Sequence, residues 1–243
     1  IRFTYMGAVE VPNELIANTP VVLGEKDVLK TLQMMPGVQG GNEGFSGIYV
    51  RGGGVDENLM LLDGTAIYNV SHLFGLLSVF TPEAVNKVTV YKGSFPARYG
   101  GRVSSVVDVR TNDGNSKKLS GSVTAGFLAE KFHLEGPLKN GNTTFSLSAR
   151  GMHTFLFDRV IKWAGSPLNY AFYDVNAKVS HKFSDRSRGW IGLYSGRDYF
   201  RYEDKSKSSK RFYGSDYEPY TMITGNENNL NLSWGNNVLS ARW

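Results

Sequence analysis

The sequence predicts two parts of different class: a small α+β domain over residues 21–115, then antiparallel strands of a transmembrane β-barrel over residues 116–243. Three observations carry this. The hydrophobic period changes from mixed to two near Thr111-Asn-Asp-Gly-Asn-Ser116. The runs after that point keep one apolar and one polar face. The links between them alternate short and long, as in outer-membrane barrels, where short turns lie on the periplasmic side and long loops outside.

Residues 1–20 read as a lead-in. Asp27 to Met35 then places Val28, Leu29, Leu32 and Met35 at helical spacing, and Pro36-Gly37 ends the helix. A Gly-rich stretch follows from Gly37 to Gly54. Four short strand-like runs lie in this half: Gly47 to Arg51, Leu59 to Leu62, Val85 to Tyr91 and Val103 to Arg110. Asp63-Gly64, Lys92-Gly93 and Tyr99-Gly-Gly101 punctuate them as turns. One helix among a few strands is an α+β domain.

After the break, Leu119, Gly121, Val123, Ala125 and Phe127 alternate with Ser and Thr. Phe132 and Leu134 alternate with Lys131, His133 and Glu135, and Phe145, Leu147 and Ala149 with Ser146, Ser148 and Arg150. Tyr173, Val175, Ala177 and Val179 alternate with Asp174, Asn176 and Lys178. Ile191 and Leu193 continue the pattern, but Trp190 and Tyr194 leave the two faces of that run ambiguous. Leu230, Leu232 and Trp234 precede Leu239, Ala241 and Trp243, with a short link at Gly235-Asn236 between them. Leu138 to Asn142 and Ser184 to Ser187 are further short links. Phe155 to Asn169, with a helical turn around Asp158 to Trp163, and Glu203 to Glu227 are long ones. The link near Ala129 is tight where the rule expects a loop. The count is six or seven strands. Tyr170, Phe172, Tyr199, Phe200 and Tyr202, near strand ends, are candidates for an interfacial girdle. No run approaches ~18 apolar residues, so no transmembrane helix is expected, but a barrel crosses with strands of ~10 residues that hydropathy averages hide.

The composition narrows the chemistry. There is no Cys, so disulfides and thiolate metal sites are excluded, and the net charge of +5 is spread along the chain. The densest basic run, Lys205, Lys207, Lys210 and Arg211, has Glu203 and Asp204 beside it and reads as a solvated loop rather than a nucleic-acid site. The four His residues are far apart, with no metal-ligand spacing. Gly44-Phe-Ser-Gly47 lacks nucleophile-elbow spacing, and no Walker-type or dinucleotide loop is present. The expectation is a protein that is not an enzyme and holds no cofactor or metal. The chain opens Ile-Arg-Phe-Thr, without a secretory signal, which fits a mature or truncated product as well as a cytosolic one.

Several sequence words occur in a telling order: Asp27-Val-Leu-Lys-Thr-Leu-Gln-Met-Met-Pro-Gly-Val38, Ile48-Tyr-Val-Arg-Gly-Gly-Gly54, Asn58-Leu-Met-Leu-Leu-Asp-Gly64, Val88-Thr-Val-Tyr-Lys-Gly93 and Tyr99-Gly-Gly-Arg-Val-Ser-Ser-Val-Val-Asp-Val109. Leu134-Glu-Gly-Pro137 and Phe172-Tyr-Asp-Val-Asn-Ala-Lys178 follow. In these words the chain resembles TonB-dependent outer-membrane receptors, in a form common among Bacteroidetes-type sequences, with residues 21–115 as plug and 116–243 as the first barrel strands. The resemblance implies a complete barrel of ~22 strands in the bacterial outer membrane. It also implies active transport of a siderophore, glycan or other nutrient, with TonB, outer-membrane lipid and the external ligand as partners. The variant that pairs with a surface lipoprotein usually carries different words at Tyr49 to Gly52 and Leu62 to Gly64, so that partner is less expected. The TonB-binding box should lie upstream of the plug, and nothing before Val21 matches it. A passive porin and a soluble β-rich binding module are the alternatives.

The resemblance further implies a pair of plug arginines facing barrel carboxylates. Arg51 matches the word that carries one of them, and Arg98 and Arg102 are further candidates. Glu135 and Arg150, on the polar faces of their strands, should look inward at the plug. In the loop Thr65 to Phe80, the residues Asn69, Ser71, His72 and Phe74 are candidates for touching ligand at the plug apex.

Overall fold

The structure, a computed structural model, describes residues 7–11, 13–19, 25–41, 46–126, 128–139, 141–152, 159, 163, 168–213 and 219–243. The N-terminal domain runs β1 (Ala8–Val11), α1 (Asn13–Asn18), α2 (Val28–Gln33), β2 (Val38–Gly40), β3 (Ile48–Val50), β4 (Asn58–Leu62), β5 (Thr65–Ala66), β6 (Ser71–His72), β7 (Leu77–Ser78), β8 (Val85–Lys92) and β9 (Ser105–Thr111). Five of these strands form one sheet in the order β1-β8-β9-β4-β5, while β2–β3 and β6–β7 make two small hairpins. The domain starts earlier than its expected boundary at residue 21, because β1 is an edge strand pairing Val9 with Val90 of β8.

Helix α2 begins where Asp27 caps it: the carboxylate accepts from the Lys30 amide at 3.0 Å. Its other oxygen accepts from the Ser46 hydroxyl at 3.4 Å and from the Ser78 amide, so one side chain ties the helix to two loops. Val28, Leu29 and Leu32 are wholly buried and share a core with Val88, Val90, Val107 and Val109 of the sheet. The chain leaves the helix through Gly37 at φ +77°, a conformation that costs glycine little.

The second part is an antiparallel meander of six strands: β10 (Ser120–Ala125), β11 (Ala129–Lys139), β12 (Thr143–Met152), β13 (Leu168–Ser184), β14 (Ser187–Tyr213) and β15 (Pro219–Arg242). Two sequence expectations fail here. Gly235-Asn236 is not a turn but lies inside β15, opposite Arg197 and Gly196. A Cβ at position 235 would collide with the Gly196 carbonyl, so this glycine serves close strand approach rather than chain reversal. The polar stretch Glu203 to Glu227 is not a loose loop either: Glu203 pairs with Asn229, and the ladder continues to Tyr213 and Pro219. The expected helical turn around Asp158 to Trp163 lies, apart from Arg159 and Trp163, outside the described residues.

The polarity of this sheet is inverted relative to a water-soluble protein. Thr144, Ser146, Ser148, Arg150, Asp174, Asn176, Lys178 and Ser180 are buried against the N-terminal domain. Their neighbours on the other face are apolar and open: Val123, Val179, Ile191 (61% exposed) and Leu239 (74%). A wall between lipid and a filled, polar lumen needs this arrangement. It also settles the ambiguous run: Ile191 and Leu193 face outward, whereas Tyr194 is buried and Trp190 lies 4.4 Å from the inward Lys178 ammonium. On the outer face Tyr173 packs on Tyr199 (6.4 Å) at one level, and Phe183 packs on Trp243 (6.1 Å) at another. Tyr173 and Phe183 are separated by roughly 34 Å of strand, about 26 Å of height at a tilt of ~40°, which matches the apolar band of an outer-membrane barrel. Of the expected girdle residues only Tyr199 takes part. Tyr170 and Phe172 are buried and Phe200 packs on them, turned toward the N-terminal domain. Among the described residues no helix is long and apolar enough to cross a membrane.

Candidate functional site

At the end of the barrel away from its short turns, the segment around β6 rises into an apex. Leu73 and Phe74 both have left-handed backbones, at φ 50° and 55°. Two successive non-glycine residues in this region store strain of about 1–3 kcal/mol each, which packing has to offset. Leu73 belongs to a buried cluster with Leu77, Leu128, Ala129, Met152, Tyr170 and Phe172, and its N–H donates to the Tyr170 hydroxyl at 2.6 Å. Phe74 is thereby pushed outward and stays 61% exposed. Its ring meets Tyr170 at 5.7 Å, Phe200 at 5.4 Å and Trp234 at 5.7 Å, forming an aromatic cup. Ser71 lines a separate cavity of about 400 Å³ with Tyr49, Val70 and Gly75. Asn69 is bound to the barrel, its amide and carbonyl both meeting the Asn236 side chain.

Beneath the cup lies a buried charged cluster. His72 is wholly buried, with Nε2 2.9 Å from Asp174 and Nδ1 2.9 Å from Asp198, and its ring stacks on Phe172 at 4.4 Å. Asp174 also accepts from Arg150 Nε at 2.8 Å and from the Tyr194 hydroxyl at 2.8 Å. Asp198 accepts from the Tyr170 hydroxyl. Arg150 Nη2 reaches across to the Ser78 carbonyl at 2.7 Å. Burial alone would pull the His72 pKa down. The Asp174 charge and the hydrogen bonds to Asp174 and Asp198 outweigh it, and the net shift is upward from the usual histidine value. His72, expected at the ligand, is therefore a contact to the barrel: no ring nitrogen is left to meet a ligand.

Two further ionic ties join the parts. Lys131 of β11 meets Glu25 at 2.7 Å and Glu83 at 3.3 Å. Lys178 of β13 meets Asp63 at 3.1 Å and Asp113 at 3.0 Å, and Arg188 meets Asp113 at 3.0 Å. In these two ties the N-terminal domain brings acids and the strands bring bases, the reverse of the expected polarity, whereas at His72 the strands bring the acids. Arg51 is exposed with its guanidinium over Gly93, and half-buried Arg102 donates to the Gly101 carbonyl at 2.8 Å. Among the described residues neither pairs with a carboxylate of the six strands. Arg98 lies over the Tyr99 ring at 4.7 Å and donates to its hydroxyl at 3.0 Å. Arg150 does face the N-terminal domain. Glu135 instead meets Ser120 at 3.3 Å and His133 at 3.7 Å on its own sheet. Of the residues that sequence reading missed, Asp174 and Lys178 were visible as charges on the polar face of their strand, whereas Asp198 lies in the run whose faces the sequence left ambiguous. Among the described residues no group of His, Asp and Glu is arranged to hold a metal ion.

Residues 8–107 match the family model described as TonB-dependent Receptor Plug Domain. The N-terminal domain is a TonB-dependent receptor plug. Solved structures align over most of the chain. The siderophore receptor PirA from Acinetobacter baumannii aligns with a TM-score of 0.58 at 18% identity, over 93% of this chain and 40% of that one. FpvA of P. aeruginosa, bound to heterologous pyoverdines, gives 0.57 at 14% identity over 92% and 31%. The outer membrane transporter YddB from Escherichia coli gives 0.53 at 14% over 90% and 38%. At these identities the likeness is one of fold, and the chain spans about 40% of the length of the PirA structure. No curated protein matches the sequence. Plug and strands together have the architecture of a TonB-dependent outer-membrane receptor, and the ionic ties described above are plug–barrel contacts.

Proposed function

We propose that the whole protein carries a ligand inward across the outer membrane, with the plug as gate and TonB as the source of force. The observation that supports this most is the filled lumen. A barrel wall with apolar outside and polar inside is packed against a folded plug, held by buried ion pairs rather than by covalent links. A passive channel has no use for such a plug, and a soluble module would hide its apolar faces instead of showing them.

The ligand meets the plug at the cup of Phe74, Tyr170, Phe200 and Trp234, with Ser71 and its cavity alongside. Rings of this kind favour a ligand with a flat apolar or aromatic face. PirA is named a siderophore receptor and FpvA was solved with pyoverdines. A siderophore is thus one candidate cargo, and a glycan or another nutrient fits the same rings. TonB then pulls from the periplasm, and the plug–barrel ion pairs give way so that the ligand passes.

The experiment compares surface binding with accumulation in cells that express the full-length protein, with and without TonB and with the proton gradient collapsed. Binding should survive both treatments and accumulation should survive neither. Undiminished accumulation in cells lacking TonB sinks the proposal.

A further inference from the structure

His72 lies between two buried carboxylates, and the geometry of that contact decides its charge. A neutral imidazole carries one N–H and one lone pair, so it completes a hydrogen bond to only one carboxylate. Here each ring nitrogen faces a carboxylate oxygen at 2.9 Å. With both carboxylates ionised, both bonds form only when both nitrogens carry hydrogen. Charge counting agrees. Asp174 of β13 and Asp198 of β14 bring two negative charges, and Arg150 of β12 brings one positive charge. Tyr170 of β13 and Tyr194 of β14 donate hydrogen bonds without adding charge. From the plug, Glu25 acts on Arg150, and Asp27 is engaged with the Ser78 and Lys30 amides. A neutral His72 leaves one carboxylate buried without a counter-charge, an arrangement that is strongly unfavourable.

The cluster is also continuous with the Phe74 segment and with helix α2. Phe74 follows Leu73, whose N–H donates to the Tyr170 hydroxyl. That hydroxyl donates to Asp198, which faces His72 Nδ1. His72 Nε2 faces Asp174, and Arg150 bridges Asp174 to the Ser78 carbonyl. The Ser78 amide donates to Asp27, the cap of helix α2. We propose that His72 is a protonated positioning residue: its proton locks the plug apex onto β13 and β14, and the seating is passed through Arg150 and Ser78 to helix α2. Displacement of Phe74 by a ligand loads this chain of bonds and loosens the first turn of α2. What the loosening is for rests on the import reading, but the lock itself does not.

The sign of the pH effect follows from the upward shift of His72 in the seated plug. Its contribution is complete below the unperturbed histidine pKa of about 6.5 and is lost as pH rises through the higher folded value.

The test uses the full-length receptor in outer-membrane vesicles and reads hydrogen–deuterium exchange over residues 27–33 and 69–79 from pH 6 to 9, corrected for the intrinsic pH dependence of exchange. In the unaltered protein the protection of both segments should fall together, in one step on the alkaline side of pH 6.5. His72→Gln should remove the step and lower protection about tenfold at pH 6. Asp198→Asn, which keeps the Asp174 contact, should move the step to lower pH. A flat profile in the unaltered protein, a step that survives His72→Gln, or a step that Asp198→Asn leaves in place overturns the proposal. Should His72→Gln fail to assemble, Asp198→Asn decides alone. Exchange reads seating and not uptake, so this result and the import result can fail separately.

Discussion

Phe74 shows how much one residue can be asked to do. Its backbone sits where glycine is at ease, and its ring is left open although three aromatic neighbours reach for it. Such strain persists where the surroundings over-determine it, here through the packing of Leu73. Phe74→Ala should leave barrel assembly intact and weaken ligand retention about tenfold, a loss of ~1.4 kcal/mol, measured by binding to whole cells. At Lys178 the expected cost falls on seating instead. Lys178→Met strands the buried Asp63 carboxylate and should loosen the plug by about 3–5 kcal/mol, read as a lower urea midpoint for plug release. Sequence reading placed Arg150 on the inner face, because period two alone says which side a residue takes. It did not find the partners. His72 and Asp198 stand 126 residues apart, and Lys178 and Asp63 stand 115 apart, distances over which local pattern carries no pairing information.

Elements were legible where local signals agreed with the ladder that tertiary structure builds. Asp27 followed by an apolar helical face and Pro36-Gly37 marked α2, and the cap formed as such residues form it. Asp27→Ala removes the cap and also the contacts to Ser46 and Ser78, so it should destabilise the plug by at least the ~1–2 kcal/mol of a lost cap, seen as earlier thermal unfolding of the plug. Gly235-Asn236 carried a turn signal as well, yet the strand runs through it. Facing Arg197 across the β14–β15 pair and close to the Gly196 carbonyl, position 235 needs the absence of a side chain, not positive φ. Gly235→Val should therefore disrupt the hairpin by about 1–3 kcal/mol of overpacking and reduce the folded fraction in heat-modifiability gels. A gel unchanged from the unaltered protein would mean that the two strands do not approach as closely as described.

At the scale of the whole molecule, what matters is which side of the sheet is wet. Both the class of fold and the change of character near residue 115 followed from that alternation, since a barrel must repeat it on every strand. The start of the plug was harder to see, because β1 is a four-residue edge strand whose partner strand lies some 80 residues downstream. The apolar belt makes its own prediction. Ile191→Arg should cost about 2–4 kcal/mol near mid-membrane and block assembly in the outer membrane, while Ile191→Leu should assemble normally. Normal assembly of the arginine variant would contradict a lipid-facing side.

Above its upper tyrosines, β14 continues from Tyr199 to Tyr213, roughly 45 Å of further strand. With β15 it makes a paired mast standing clear of the bilayer, studded with Lys205, Lys207, Lys210 and Arg211. Antibodies or phage arriving from the medium would touch this mast before anything beneath it. Changes along it should alter who recognises the cell and leave the import proposed above untouched.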